Sequence, residues 1–357
     1  MYIHTNNKSK KLKRENTQTM ISVSVVGASG YSGAELIKLL VKHPGVRIDK
    51  LFAHTSAGKK LADIIPSFNK TLDIVLESYS VDSIAKSDLI FIALPSGEAM
   101  NLVPGMLAAG KRVIDLGGDF RLQDTSLYER YYKRTHSAST ILKQAVYGLP
   151  EWNFNQIKSA ALIANPGCYP TSAILPLAPL LKEGVIEPKG IAVSSLSGVS
   201  GAGKSASVDM SFAEVNESVR AYKVGVHQHL PEIRTVLKML SGVPPSLSFV
   251  PHLLPITRGI YTTIYATLLK QLDDQAILAI YEKYYGKAPF VRYSASAIPE
   301  IKNVNYTNFI DIGFRVNQED GQIVVLSAID NLIKGAAGQA VQNMNIMFGF
   351  EETEGLK

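Results

Sequence analysis

The apolar positions follow two different rhythms. In the first half, strand-length apolar runs (21–26, 47–53, 73–76, 88–94, 112–116) are interleaved with stretches of helical spacing (34–42, 99–109). Strand–helix repetition at this pitch predicts a parallel, doubly wound α/β sheet with ligands at the carboxyl ends of its strands. Residues 122–152 mix tyrosines with charge and predict a helix and loop covering the sheet edge. Beyond residue 190 the strands predicted at 191–196, 247–254, 259–269 and 290–293 lack that interleaving, and 309–316 and 322–328 face each other across the turn 317–321, a hairpin. This predicts a second, α+β domain with a mainly antiparallel sheet. Helices are expected at 171–182, 231–240, 273–285 and 331–347. The expected division is an arm (1–20), a dinucleotide-binding domain (21–165, completed by 331–357) and a catalytic and oligomerisation domain (166–330).

Between the halves lies Asn165-Pro166-Gly167-Cys168-Tyr169-Pro170-Thr171, which holds the only cysteine of the chain. A thiol where a strand stops and a helix starts sits beneath unpaired backbone N–H groups, which stabilise an anion. The expectation is a nucleophilic cysteine with a lowered pKa. A lone cysteine is more often a small buried hydrophobe, but the flanking prolines and Gly167 favour the nucleophile.

The turn after the first strand, Gly27-Ala28-Ser29-Gly30-Tyr31-Ser32-Gly33, opens a helix. Glycines there permit a tight turn and close backbone approach to a pyrophosphate, the Rossmann arrangement. The second strand leads into His54-Thr55-Ser56-Ala57-Gly58-Lys59-Lys60 with no carboxylate to take a ribose 2′-hydroxyl. Hydroxyls (Thr55, Ser56) and cations suit a 2′-phosphate, favouring NADP over NAD. Pro95-Ser96-Gly97 and Gly117-Gly118 mark further strand ends, and the last predicted helix, opening at Asn331, carries small residues that allow packing beside the cofactor.

Arg121, Lys204 and Arg258 are candidate ligands for substrate phosphate or carboxylate; for Arg121 the plain alternative is an ion pair with Asp119 or Asp124. Ser197-Gly198-Val199-Ser200-Gly201-Ala202-Gly203-Lys204 with Ser205 matches the letters of a phosphate loop. The polar, short 206–214 stretch is no P-loop helix, so an anionic substrate is the better reading. In Val226-His227-Gln228-His229, two histidines without a third ligand make a poor zinc site, and no metal is expected. One of them suits an acid/base partner for Cys168. As an imidazolium it would stabilise the thiolate, and in an extended segment both would share one face.

Composition narrows the class. The net charge is +6, but Lys8, Lys10, Lys11, Lys13 and Arg14 against Glu15 concentrate it in the arm. The body is therefore no nucleic-acid surface. No apolar stretch approaches the ~20 residues that span a bilayer, the arm has no secretory pattern, and a single cysteine fits the reducing cytoplasm.

Five motifs, in order, carry a resemblance: the glycine turn, Ala145-Val146-Tyr147-Gly148-Leu149-Pro150-Glu151, the cysteine motif, His227-Gln228-His229-Leu230-Pro231-Glu232, and Asp330-Asn331-Leu332-Ile333-Lys334-Gly335. From Ile21 onward the chain resembles the N-acetyl-gamma-glutamyl-phosphate reductase family, relatives of the aspartate-semialdehyde dehydrogenases. Gln228 stands where the family usually carries arginine, so no cationic role is transferred there. The resemblance implies a glyceraldehyde-3-phosphate dehydrogenase-like second domain. It implies Cys168 as nucleophile, His227 as acid/base with His229 beside it, and NADPH as hydride donor. It also implies a small acyl-phosphate substrate yielding a semialdehyde and phosphate, and a homo-oligomer, dimer or tetramer. Alternatives are a reductase of aspartyl or carrier-bound aminoadipyl phosphate, a cysteine acyltransferase or hydrolase, and a non-catalytic NADP sensor.

Overall fold

A computed structural model describes residues 20–204 and 207–357; the basic arm and residues 205 and 206 of the glycine loop lie outside the described residues. The first sheet is wholly parallel. Its strands are β1 (Ile21–Val26), β2 (Val46–Phe52), β3 (Leu89–Ile92), β4 (Arg112–Asp115), β5 (Ala145–Tyr147) and β6 (Leu162–Ala164), in the order β2-β1-β3-β4-β6-β5. Strand order reverses beside β1, which opens a crevice between the carboxyl ends of β1 and β3.

Two expectations are corrected here. Residues 73–76 form no strand, only isolated bridges from Val75 to Lys60 and from Glu77 to Phe52. Leu76 is buried but Val75 is exposed, so the run has too little apolar surface to join the sheet. The segment 122–152 does more than cover the edge, because Ala145-Val146-Tyr147 is the edge strand itself, paired to β6. Three residues are too few to announce a strand by periodicity.

The second sheet has seven strands: β7 (Ile191–Gly198), β8 (Arg220–Ala221), β9 (Leu247–Leu254), β10 (Ile260–Thr267), β11 (Val291–Ser294), β12 (Ile310–Asn317) and β13 (Gln322–Ile329). Their order is β11-β12-β13-β10-β7-β9-β8. The predicted hairpin forms, as β12 and β13 pair antiparallel from Ile310 with Ile329 to Asn317 with Gln322. The sheet is mixed, since β7 pairs β9 and β11 pairs β12 in parallel. One face is apolar, with Ile260, Ile264, Ile312 and Val325 buried against the helices Cys168–Lys182, His229–Ser241 and Asp274–Tyr285.

The Cys168–Lys182 helix is buried along nearly its whole length and contains Pro176 and Pro179. Each proline removes the N–H that would bond the carbonyl four residues back. The freed oxygens are satisfied from outside: Ser172 O accepts from Ser327 Oγ (2.7 Å), and Leu175 O accepts from Tyr285 Oη (2.7 Å). The prolines therefore tie the helix to the second sheet and its covering helix rather than breaking it.

The chain returns to the first domain at its end. The predicted helix from 331 is a π turn (Ile333–Ala337) followed by an α-helix (Gly338–Phe348). Ala340, Val341, Met344 and Met347 pack with Val23, Phe91 and Ile163 of the parallel sheet. Among the described residues, no helix is long and apolar enough to cross a membrane.

Candidate active site

Strand β6 delivers the cysteine motif to the carboxyl edge of the parallel sheet, where the Asn165 N–H donates to Asp115 O (2.8 Å). Gly167 is the N-cap, and the helix starts at Cys168 itself, three residues before the predicted start. A side chain on Gly167 would strike His229 Nε2 (2.6 Å) and Arg121 Nη1 (2.8 Å), so only glycine lets those groups close on the motif. Opposite, the π turn brings Gly335 against the cysteine.

The expected lowering of the thiol pKa is overturned. Burial pushes the Cys168 thiol up to about 11, outweighing the Arg121 charge and the Tyr169 and Cys168 backbone amides, which pull it down. The helix start does supply amides to the sulfur, but desolvation of the thiolate is the larger effect.

The segment before the histidines is irregular rather than extended, and the helix opens at His229. The imidazoles are neighbours, 4.8 Å between centroids, and Tyr169 stands edge-on to both at 5.6 and 5.8 Å. The His229 backbone N–H donates to His227 Nδ1 (3.1 Å). His229 Nε2 lies 3.4 Å from Arg121 Nη1. An arginine only donates, so this nitrogen of His229 is an acceptor. His227 is lowered to about 3 by burial and then by Lys223, and His229 falls well below its usual value through burial, His227 and Arg121. Both rings are neutral near pH 7. The expected imidazolium–thiolate pair is therefore replaced by a thiol beside two neutral imidazoles.

The residue that sequence reasoning missed is Glu232. It is fully buried. Its Oε1 accepts from the Gly167 N–H (2.9 Å) and from Tyr147 Oη (2.8 Å), and its Oε2 faces Arg121 Nη1 (3.4 Å). Its position three residues into the helix that opens at His229 was the available signal. Asp115 was also missed. It ends β4 fully buried, takes the Gly117 N–H (2.8 Å), and is raised to about 7 by burial and by Asp119.

The candidate anion ligands separate. Arg121 lies in the site, but its Nε donates to Asn165 O (2.8 Å) and its Nη2 to Leu116 O (2.7 Å); its carboxylate partner is Glu232, not Asp119 or Asp124. Arg258 is occupied elsewhere, paired with Asp330 (3.0 Å) and with Glu35 of the first helix (3.1 Å). These two carboxylates hold it between the second domain and the first helix. Lys204 reaches Ser29 O of the glycine turn (3.4 Å), and Ser197 is buried with its Oγ on Gly198 O (3.0 Å). Asn331 accepts from the Gly259 N–H (2.8 Å) and donates to Ser200 Oγ (3.0 Å), which fixes the loop that carries Lys204.

The glycine turn fits a dinucleotide. Gly27 has φ +94°, and a side chain there would meet Ala93 O at 2.3 Å; one on Gly33 would meet Gly27 O at 2.2 Å. Gly30 caps the helix Tyr31–Lys42, whose first amides are open to an anion. Ser29, Tyr31 and Ser32 surround this turn with exposed or partly exposed side chains. Beside it runs a cleft of about 740 Å³ lined by Gly27, His54, Ser78, Tyr79 and Pro95. Thr55 and Ser56 follow His54 in the chain, but the lining stops at His54. Ser96 Oγ accepts from the Gly118 N–H (3.2 Å), and the Gly97 N–H donates to Asp119 (2.6 Å), so the β3 and β4 ends are tied together. Among the described residues, no cluster of three or more His, Cys, Asp or Glu could hold a metal ion.

The chain resembles known proteins in sequence and in fold. Residues 22–160 match the semialdehyde dehydrogenase NAD-binding domain family, and residues 168–331 match the semialdehyde dehydrogenase dimerisation domain family. The chain is 48% identical over 341 residues to a protein of Desulfotalea psychrophila named N-acetyl-gamma-glutamyl-phosphate reductase, covering 95% of this chain and 98% of that one. It is 48% identical over 340 residues to the protein of that name from a Geobacter species, covering 94% and 98%. Among solved structures, aspartate semialdehyde dehydrogenase II of Vibrio cholerae superposes with a TM-score of 0.71 at 17% identity, covering 92% of this chain and 98% of that one. The Candida albicans enzyme with NADP gives 0.67 at 19% identity and the same coverage.

Proposed function

The chain belongs to the N-acetyl-gamma-glutamyl-phosphate reductase family, and on that premise we propose how its residues perform the reaction. The enzyme is an oxidoreductase that reduces N-acetyl-gamma-glutamyl phosphate to the semialdehyde in arginine biosynthesis, using a nicotinamide cofactor.

Cys168 is the nucleophile. Its Sγ attacks the acyl carbonyl carbon, the bond from carbon to the phosphate oxygen breaks, and a thioester remains. The proton the thiol loses balances the one the departing phosphate gains. Sulfur suits both halves because it attacks well and leaves well. The Cys168 and Tyr169 amides at the helix start are placed to steady the developing oxyanion, worth roughly 3–4 kcal/mol per donor in comparable sites.

Bound at the glycine turn, a nicotinamide cofactor would supply the hydride that reduces the thioester carbonyl carbon. The carbon–sulfur bond then breaks, its electron pair returns to Sγ, and that sulfur takes its proton from solvent while the His227 Nε2–H donates a hydrogen bond to it. His227 is assigned this role over His229 because of its hydrogen bonding. With Nδ1 held by the His229 N–H, the neutral ring carries its proton on Nε2 and is set to donate. The Nε2 of His229 already faces Arg121.

NADPH is the assigned donor because the second strand is followed by His54, Thr55 and Ser56, then Lys59, with no carboxylate where a ribose 2′-hydroxyl would be taken. The turn residues 27–33 with Pro95, Ser96 and Gly97 would hold the dinucleotide, and Lys204 reaches Ser29 O of that turn from the second domain. The enzyme oligomerises through that second domain, and a dimer or tetramer is the assembly we assign. Exposed Tyr265 on β10 belongs to the open face that would carry the contact.

The observation that carries this reading is the convergence of Cys168, both imidazoles and the Arg121–Glu232 pair at the carboxyl edge of a dinucleotide-type sheet. The test is the phosphate-dependent reverse reaction with N-acetylglutamate semialdehyde, comparing NADP with NAD, wild type beside Cys168→Ala. Turnover surviving in the alanine variant rejects the nucleophile, and a preference for NAD rejects the 2′-phosphate reading.

A further inference from the structure

Glu232 stands at the crossing of two sets of contacts that meet at the cysteine. Its Oε1 is shared by the Gly167 N–H (2.9 Å), the amide immediately before Cys168, and by Tyr147 Oη (2.8 Å) at the end of the edge strand β5. Its Oε2 faces the Arg121 guanidinium (3.4 Å), whose side chain is 8% exposed while that of Glu232 is 0% exposed. Arg121 in turn grips Asn165 O and Leu116 O, the backbone that ends β6 and β4. One buried carboxylate thus fixes the turn ahead of the nucleophile and balances the Arg121 cation held against it.

We propose that Glu232 is a positioning residue for Cys168: one oxygen sets the backbone from which the thiol projects, and the other sets the net charge the thiol feels by neutralising Arg121. The proposal rests on Cys168 being the nucleophile. The mechanism above uses neither carboxylate oxygen, and a structural ion pair alone would not link the two effects.

Charges facing the sulfur come from several elements. Arg121 follows β4, Glu232 lies on the histidine helix, and Tyr169 and Tyr222 approach from the cysteine helix and from the loop after β8. Around Arg121 stand Asp115, Tyr132, Tyr147 and His229. Arg121 favours the thiolate and Glu232 opposes it. Burial works against the Arg121 charge, but Glu232, the surrounding tyrosines and Asp115 hold it on.

Glutamine at 232 keeps an oxygen for Gly167 and Tyr147 but puts a neutral amide against Arg121. The guanidinium then acts on the thiol unopposed, and the sign of the effect is fixed: the thiolate forms at lower pH. The experiment is the pH dependence of iodoacetamide alkylation of Cys168 in wild type, Glu232→Gln and Tyr147→Phe, beside kcat and KM. Glu232→Gln is expected to lower the alkylation midpoint by about one pH unit, a tenfold change in the ionisation constant. Its kcat should fall about tenfold or more, with KM within about twofold, as for a group that orients the reacting atom. Tyr147→Phe removes a hydrogen bond but no charge, so it should lower kcat without lowering the midpoint.

A Glu232→Gln midpoint that stays or rises, or an equal drop in both variants, overturns the proposal. Should Glu232→Gln not fold, Arg121→Lys reads the pair from its other end, because lysine cannot hold both carbonyls and its charge withdraws; the midpoint must then rise. Alkylation reads the thiol without turnover, so failure here leaves the assignment of Cys168 untouched. That assignment fails separately if Cys168→Ala still turns over.

Discussion

Gly335 lies so close to Cys168 that a methyl group on it would sit 2.7 Å from the cysteine Cβ and 3.2 Å from its Cα. The π turn at Ile333–Ala337 thus presses bare backbone onto Cys168. The C-terminal segment forms one wall of the site as well as closing the first domain.

Gly335→Ala must push either the turn or the cysteine aside. Overpacking of this kind costs roughly 1–3 kcal/mol, and displacement of a reacting atom by a fraction of an ångström costs more in rate. The variant should melt a few degrees lower while its kcat falls at least tenfold. An alanine variant with wild-type kcat would remove this wall from the account.

The thiol of the free enzyme should alkylate slowly at neutral pH. Burial raises its pKa to about 11, so the reactive thiolate grows roughly tenfold per pH unit across the alkaline range. A rate that levels off below pH 8 would contradict the desolvation described here.

Acid should destabilise the fold through its buried imidazoles. His43, His227 and His229 all have folded pKa values below 6.5, chiefly because burial disfavours the cation. The unfolded chain therefore binds more protons once pH drops below about 6.5, and stability present above that value is lost as pH falls toward the folded values. Each group contributes a slope of about 1.4 kcal/mol per pH unit in that window. Urea midpoints measured from pH 7.5 to 4.5 should fall, and His43→Asn should flatten the slope by up to one proton.

The Lys334–Glu151 pair (2.6 Å, both side chains at or below 1% exposure) should be costly to halve. Lys334 also donates to Gln342 Oε1 (2.8 Å). Lys334→Met strands a buried carboxylate and should cost about 3–5 kcal/mol, whereas adding Glu151→Gln should recover part of it. Urea unfolding of the single and double variants decides this, and equal losses in both would deny the coupling.

Much of the molecule was legible from local sequence. The alternation of strand and helix, the glycine turn and the 317–321 hairpin each depend on contacts within a few residues, and apart from the strand expected at 73–76 all form. The cysteine motif announced itself because prolines, glycine and a lone thiol at a strand–helix junction are a local arrangement. What the sequence could not carry was the outcome of long-range burial. Helix-start amides suggested a lowered thiol pKa, yet burial reverses it, and the wall that Gly335 adds against Cys168 is distant in sequence. The same holds for the ligands. Arg121 and Arg258 look alike along the chain, but only tertiary packing places two carboxylates on Arg258 and sets Arg121 beside Gly167. Glu232 was quoted in a motif without a role because its partners, Tyr147, Gly167 and Arg121, lie 65 to 111 residues away. Local propensity is encoded by neighbours in sequence, whereas charge balance and desolvation depend on which surfaces meet, and those are decided only when both sheets and the returning C-terminal helix enclose the site.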